Sequence, residues 1–344
     1  VGDGDAGRRF VEALSLALDA PVLASRTPTG AVARGGDWRF DVAAGGRRNM
    51  VPALLDPERA ARWPGLLAVN VTSTLGDDSG GTLRAAALAG EQIVNFSNLG
   101  AGDTITLAAS PTFTNGAATS FNFTGTTSSL TIGGSDIVLD SHLYLSVSAG
   151  QTMTLNSGVS FSAGASILST AGGGTITLNG SISGTSRVWV LGGTTAEIGT
   201  TTSTPLIDIA GNSTVRFTTS GAYTSNIEIE NTATIDTGAN NVSISGSVTD
   251  DGTNALVKSG TGTLTLSGTN TASGSMTLNQ GTLSVAADGN LSAGTVTLNG
   301  GTLAVTGTTT IDNAIALGAS NGTVNVSANV TMSGVVSGAG NLTK

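Results

Sequence analysis

Cysteine is absent from the 344-residue chain, so these residues can hold no disulfide, no zinc–thiolate site and no thiol nucleophile. Whatever stabilises the fold must come from packing and backbone pairing. Charge is scarce as well, at 11% of residues, and it is unevenly divided: nine arginines face eight acids up to Asn70, whereas five basic residues face fifteen acids after it. The long C-terminal part is therefore acidic. It lacks the basic patch that neutralises phosphates, which argues against nucleic acid and against an anionic membrane surface as partners. No run of about eighteen apolar residues occurs, so no segment is expected to insert into a bilayer as a helix. Aromatic residues make up 4%, too few to fill a wide globular core, yet a hydrophobic fraction of 39% argues against a solvated tail. The balance predicts a narrow interior of Leu, Ile, Val and Ala in repeated layers.

What the chain does have is glycine, 50 residues of it, and one recurring phrase. Thr or Ser alternates with an aliphatic residue and closes on Asn or Ser and then Gly. Examples are Thr175-Ile176-Thr177-Leu178-Asn179-Gly180, Thr263-Leu264-Thr265-Leu266-Ser267-Gly268 and Thr295-Val296-Thr297-Leu298-Asn299-Gly300. Period-two alternation predicts strands with one buried face. Asn279-Gln280-Gly281-Thr282-Leu283 returns as Asn299-Gly300-Gly301-Thr302-Leu303, and Ile207-Asp208-Ile209 returns as Ile227-Glu228-Ile229, both at an offset of 20. Such a spacing fits one turn of a β-solenoid, with two or three short strands per coil and about 4.8 Å between coils. Roughly a dozen coils would form a monomeric rod on the order of 55 Å long. At the corners, Asn tolerates left-handed backbone and can hydrogen-bond its equivalents up the stack, while Gly permits the sharp turn.

Leu256-Val257-Lys258-Ser259-Gly260-Thr261-Gly262-Thr263-Leu264-Thr265-Leu266-Ser267-Gly268-Thr269-Asn270-Thr271, with Ser273-Gly274 and Asn279-Gln280-Gly281-Thr282-Leu283, resembles the autotransporter-associated β-strand repeat. Ala272 departs from the pattern, since an aromatic is usual there. The last residues, Ser333 to Lys344, read as the opening of another copy. This resemblance implies the exported passenger of an autotransporter or a related giant adhesin, folded as a right-handed parallel β-helix.

The beginning of the chain is different. Phe10, Leu14, Ala17 and Leu18 recur at helical spacing between Gly7 and Pro21, predicting an amphipathic helix. Val22–Ser25 and Trp38–Val42 read as extended pieces. Val1-Gly2-Asp3-Gly4-Asp5-Ala6-Gly7, Phe10-Val11-Glu12-Ala13-Leu14 and Gly35-Gly36-Asp37-Trp38 resemble the C-terminal tail of a caspase-like domain of unknown function found near the start of giant bacterial surface proteins. In that family a Gly-Cys pair precedes the position of Val1, so the resemblance brings no activity to these residues. Val1 follows no charged-then-apolar leader, and the chain reads as a piece of a longer protein.

The organisation expected is thus all-β, with a small truncated α/β segment at residues 1–43 and a linker at 44–69. An entry and capping segment spans 70–100, β-helix coils fill 101–254, and autotransporter-type repeats occupy 255–344. The entry segment rests on Asp78-Ser79-Gly80-Gly81-Thr82-Leu83-Arg84-Ala85-Ala86 and Ile93-Val94-Asn95-Phe96, which resemble the opening of bacterial parallel β-helices, where a short helix closes the first coil.

Candidate chemistry is sparse. His142, the only histidine, stands in Asp140-Ser141-His142-Leu143-Tyr144-Leu145 and points outward with Asp140 and Tyr144. A solvated strand-face histidine outweighs a catalytic one. Asp208, Glu228 and Glu230 alternate with inward isoleucines, and the 20-residue offset sets Asp208 one coil from Glu228. Stacked carboxylates could bind calcium or act as a glycosidase pair, but only Arg216 is near in sequence, and solvated charges that oppose lateral aggregation are the simpler reading. Gly133-Gly134-Ser135-Asp136 echoes a calcium-binding nonapeptide once, which carries little weight. No catalytic, cofactor-binding or metal-binding residue is assigned. The function expected is an adhesive stalk at the bacterial surface or secreted from it, meeting glycans or cell-surface proteins. The alternatives are a polysaccharide lyase or hydrolase using the acidic face, and a passive spacer.

Overall fold

The computed structural model describes residues 22–24, 42–44, 69–71, 75, 82–88, 93–96, 99–100, 102–113, 118–123, 128–170, 172–199, 206–252 and 254–344. From Val69 onward they form a parallel β-solenoid with three faces. The first face runs through nine strands, from Val69–Val71 to Val248–Asp250. The second is a twelve-stranded parallel sheet from Asp103–Leu107 to Val336–Gly338, and the third a seven-stranded sheet from Gly221–Tyr223 to Leu342–Thr343. With twelve rungs about 4.8 Å apart, the second face is roughly 50 Å long. Val22–Ala24 and Val42–Ala44 pair antiparallel. The helix expected at Phe10–Leu18 and most of Trp38–Val42 lie outside the described residues.

The alternation in sequence becomes alternation in burial. Thr152–Leu155, Ala233–Asp236 and Thr282–Val285 each bury every second residue, the aliphatic ones. The 20-residue offset is the coil length through much of the rod: Thr195 pairs with Thr175, Ile227 with Ile207, Thr282 with Thr302. The first coils are longer, since Leu130 pairs with Asp103 and Phe121 with Val94, both at steps of 27 residues, while a 23-residue step recurs later from Ala233 to Leu256. The wider cross-section there is filled by Phe96, Phe113, Phe121 and Phe123, with Phe121 meeting Phe96 and Phe113 edge-on at 5.5 and 5.7 Å. The composition predicted aliphatic layers, whereas buried aromatics fill part of the interior, four of them in these first coils and Phe217 with Tyr223, rings 4.6 Å apart, in the shorter coils further along. Helix α1, Leu83–Leu88, packs its buried Leu83, Ala86 and Ala87 near Val69–Val71 and Thr112–Phe113.

Two roles expected of the corner asparagines fall to different residues. Asn179 donates to Asn156 and Asn299 to Asn279 at 2.9 and 3.2 Å, so corner amides do stack from coil to coil, and Asn122 donates to Asn95 at 3.0 Å within the strands of the first face. Left-handed backbone belongs instead to Asn212, Asn231 and Asn321, with φ of 61°, 67° and 65°.

Beyond Asp250 the first face loses its strands. Thr271 and Ala272 hydrogen-bond back to Val248, and Ala293 to Ala272, so the wall continues as irregular segments. A two-stranded sheet, Thr309–Ile311 with Val330–Met332, follows. Ala272, at the position where the resemblance implies an aromatic, is buried beside Ile229, Val248, Leu256 and Met276.

Candidate functional site

Asp208 and Glu228 are register partners on the first face, as their offset predicts, and Ala210 pairs with Glu230. Their environment differs from the solvated face expected. Asp208 is completely buried, because Trp189, its register partner on the preceding coil, donates its indole Nε1–H to Oδ2. Arg187 donates to the same oxygen at 2.7 Å and reaches Glu228 at 3.2 Å. The guanidinium lies 5.0 Å from the centroid of the Trp189 ring, so it joins three coils while covering an aromatic surface. Burial, then the negative charge of Glu230 and Glu228, pushes the Asp208 carboxyl up to about 7 against the pull of Arg187. Its Oδ1 is buried without a hydrogen-bond partner, an oxygen on which a proton can sit.

Arg187 was missing from the sequence reading because it stands 21 residues before Asp208 on a strand that reads as Ser/Thr-rich surface. Parity could have found it: Val188 and Val190 point inward, so Arg187 and Trp189 share the outer side with Asp208. Arg216, the cation nearest in sequence, lies on the second face. There Nε bonds Asp236 at 2.8 Å, a terminal nitrogen bonds Glu197 at 3.1 Å, and Glu197 accepts Thr177 Oγ1 at 2.7 Å. Burial alone would raise the Asp236 carboxyl, but the Gly238 N–H and the Arg216 guanidinium outweigh it and hold it below the usual carboxylate range.

The arrangement is thus two outward ionic ladders. Asp208 is closed in by Trp189 and Arg187, with no open side for a sugar. No group of three metal-ligating side chains is close enough to hold an ion among the described residues. His142 is exposed, and its Nδ1 accepts the N–H of Ser166 on the next coil at 3.1 Å, a corner contact. Asp136 likewise accepts the Gly158 N–H at 3.1 Å, which gives the Gly133–Asp136 stretch a place in the stack.

One charged group turns inward. Lys258 is fully buried, and burial lowers its ammonium to about 8 despite the favourable charge of Asp236. Nζ donates to Thr237 Oγ1 at 3.0 Å and to the carbonyls of Ser259, Gly260 and Gln280 at 2.6, 2.8 and 3.3 Å. Nearby, buried Asn270 accepts the Val248 N–H at 2.7 Å and donates to the Asn290 carbonyl.

Comparison with known proteins fits this geometry. Residues 256–285 match the passenger-associated-transport-repeat, and residues 1–67 match a domain of unknown function, DUF4347. No curated protein and no solved structure matches the chain. A passenger-type repeat built into a parallel β-solenoid fits an autotransporter passenger-like stalk, and the repeat suggests secretion or surface display.

Proposed function

We propose that this chain is the stalk of a secreted or surface-displayed bacterial adhesin, acting through reach and a repetitive outer surface. The observation that carries the reading is the passenger-type repeat at 256–285 continuing the coil register of the rungs before it. Its faces present Thr, Ser and Asn in rows about 4.8 Å apart, a surface suited to many weak polar contacts with glycans or cell-surface proteins. The match at 1–67 is compatible with our reading of residues 1–43 as the tail of a caspase-like domain.

The test is binding of the labelled chain to a glycan array and to cultured cells. Saturable binding competed by unlabelled chain supports adhesion; no saturable binding on either leaves a spacer. A reducing-sugar assay on pectin, alginate and host glycans addresses the enzyme reading. Turnover abolished by Asp208→Ala would replace the stalk assignment.

A further inference from the structure

Lys258 occupies a position where its strand calls for an aliphatic side chain. Leu256 and Lys258 face inward and Val257 outward. The column through it runs Ile176, Ala196, Val215, Ile235, Lys258, Leu278, Leu298, Leu317, apolar at every other rung. The four oxygens around its Nζ come from three consecutive coils: Thr237 from the coil before, Ser259 and Gly260 from its own, and Gln280 from the one after. The corner is shaped to bring them together. Gly260 and Gly281 have φ of 79° and 65°, and a Cβ on either would lie 2.4 Å from backbone atoms of the coil beneath.

The rungs on either side hardly distinguish one neighbour from the next. Thr263-Leu264-Thr265-Leu266 stacks on Thr282-Leu283-Ser284-Val285, and its inward leucines would fit Thr302-Leu303-Ala304-Val305 as well. Skipping a coil would therefore cost little in apolar matching. It would, however, withdraw Gln280 from the ammonium and leave a buried charge short of partners. We propose that Lys258 is a register lock, which fixes the stacking order of the repeat coils by requiring oxygens from three particular rungs at once. Replacing it with an apolar residue should keep the fold and lose the order, the trade expected of a buried ion whose value is specificity.

The absence of cysteine makes this measurable. Val257 and Thr277 are adjacent in register, about 4.8 Å apart, within disulfide reach, whereas Val257 and Thr297 are two rungs apart, roughly 9.6 Å, and beyond it. Each pair is converted to cysteines, the chain is refolded from urea under oxidising conditions, and bridged peptides are quantified by mass spectrometry. With Lys258 present, V257C/T277C closes and V257C/T297C does not. In the Lys258→Met background the skipped bridge should rise roughly tenfold while the β-sheet signal and urea midpoint hold or increase. An unchanged bridge ratio overturns the proposal. So does loss of the fold, which would make Lys258 a stability element. Thr237→Val, which withdraws one acceptor and leaves the column intact, should raise the skipped bridge by about threefold; no rise also counts against the lock.

Discussion

The coils around residues 187–236 and those around 256–313 share one continuous second face, yet they place their polar groups on opposite sides of the wall. In the first region the interior is mainly apolar, aliphatic columns with Phe217 and Tyr223 in ring contact at 4.6 Å and small buried hydroxyls such as Ser213, and the outward side chains include Arg187–Asp208–Glu228 and Glu197–Arg216–Asp236. In the second the interior admits Lys258, Asn270, Asn290 and Asn313, and no ion pair occurs among the described residues. Lys258 lies on the continuous second face, but for the asparagines the difference follows the first face. While its strands persist, to Val248–Asp250, backbone groups pair with one another. Once irregular segments replace them, amide side chains take over: Asn290 donates to Gly268, and Asn313 to Ser292 and Gly294, at 2.9, 2.7 and 2.8 Å. A narrow solenoid can thus accept polar groups inside where the ladder lapses, provided each finds partners.

The sharpest way to break this contrast is to remove the counter-ion from the outer cluster. Arg187→Met leaves Asp208 buried beside Glu228 and Glu230. It should cost about 3 kcal/mol at pH 8 and clearly less at pH 5, where Asp208 takes a proton. Hydrogen exchange on peptides from 206–236, compared with 256–298, measures it locally. An equal loss in both regions would show that the clamp is not confined to its own coils.

The inner ladder should respond next. Asn270→Ala leaves the Val248 N–H and the Asn290 carbonyl without their partner and should destabilise by about 2 kcal/mol, independently of salt. Chemical denaturation at low and high ionic strength tests both parts.

Acidity separates the regions in opposite directions. The raised Asp208 value means that its contribution is fully present below about 3.8 and is lost as pH rises through about 7, facing Arg187, Glu228 and Glu230. Lys258, facing Asp236, has a lowered value: between about 8 and 10.5 the unfolded chain binds the extra proton, so stability rises with pH there. Asp208→Asn should flatten the acid limb of local exchange stability, and Lys258→Met the alkaline limb. If each variant altered the other's limb, the regional contrast would fail. The smallest effect is expected at Glu197, whose partner Arg216 is 44% exposed: Glu197→Gln should cost about 0.5 kcal/mol in dilute buffer and nothing measurable in molar salt.

Much of the fold was legible because the solenoid repeats a local rule. The Ile207/Ile227 and Leu283/Leu303 offsets carried the register directly. The candidate site was legible only in part. Asp208 and Glu228 were brought together by that offset, but the coil before Asp208 is 19 residues long and Arg187 reaches Asp208 diagonally, 21 residues away in sequence, where a fixed period gives no pairing. Lys258 entered the sequence analysis only as part of the repeat string; its parity with Leu256 puts it inward, but nothing local shows the Thr237 and Gln280 oxygens that receive it.

Alternation and period, by themselves, determined that this chain stacks flat coils with aliphatic columns inside, because each strand must hide the same face and each coil returns to the same corner. The tertiary structure alone decided which charges are buried and what they touch. That depends on side chains from coils some twenty residues apart meeting across a rung, a distance the backbone sets and a one-dimensional pattern does not contain.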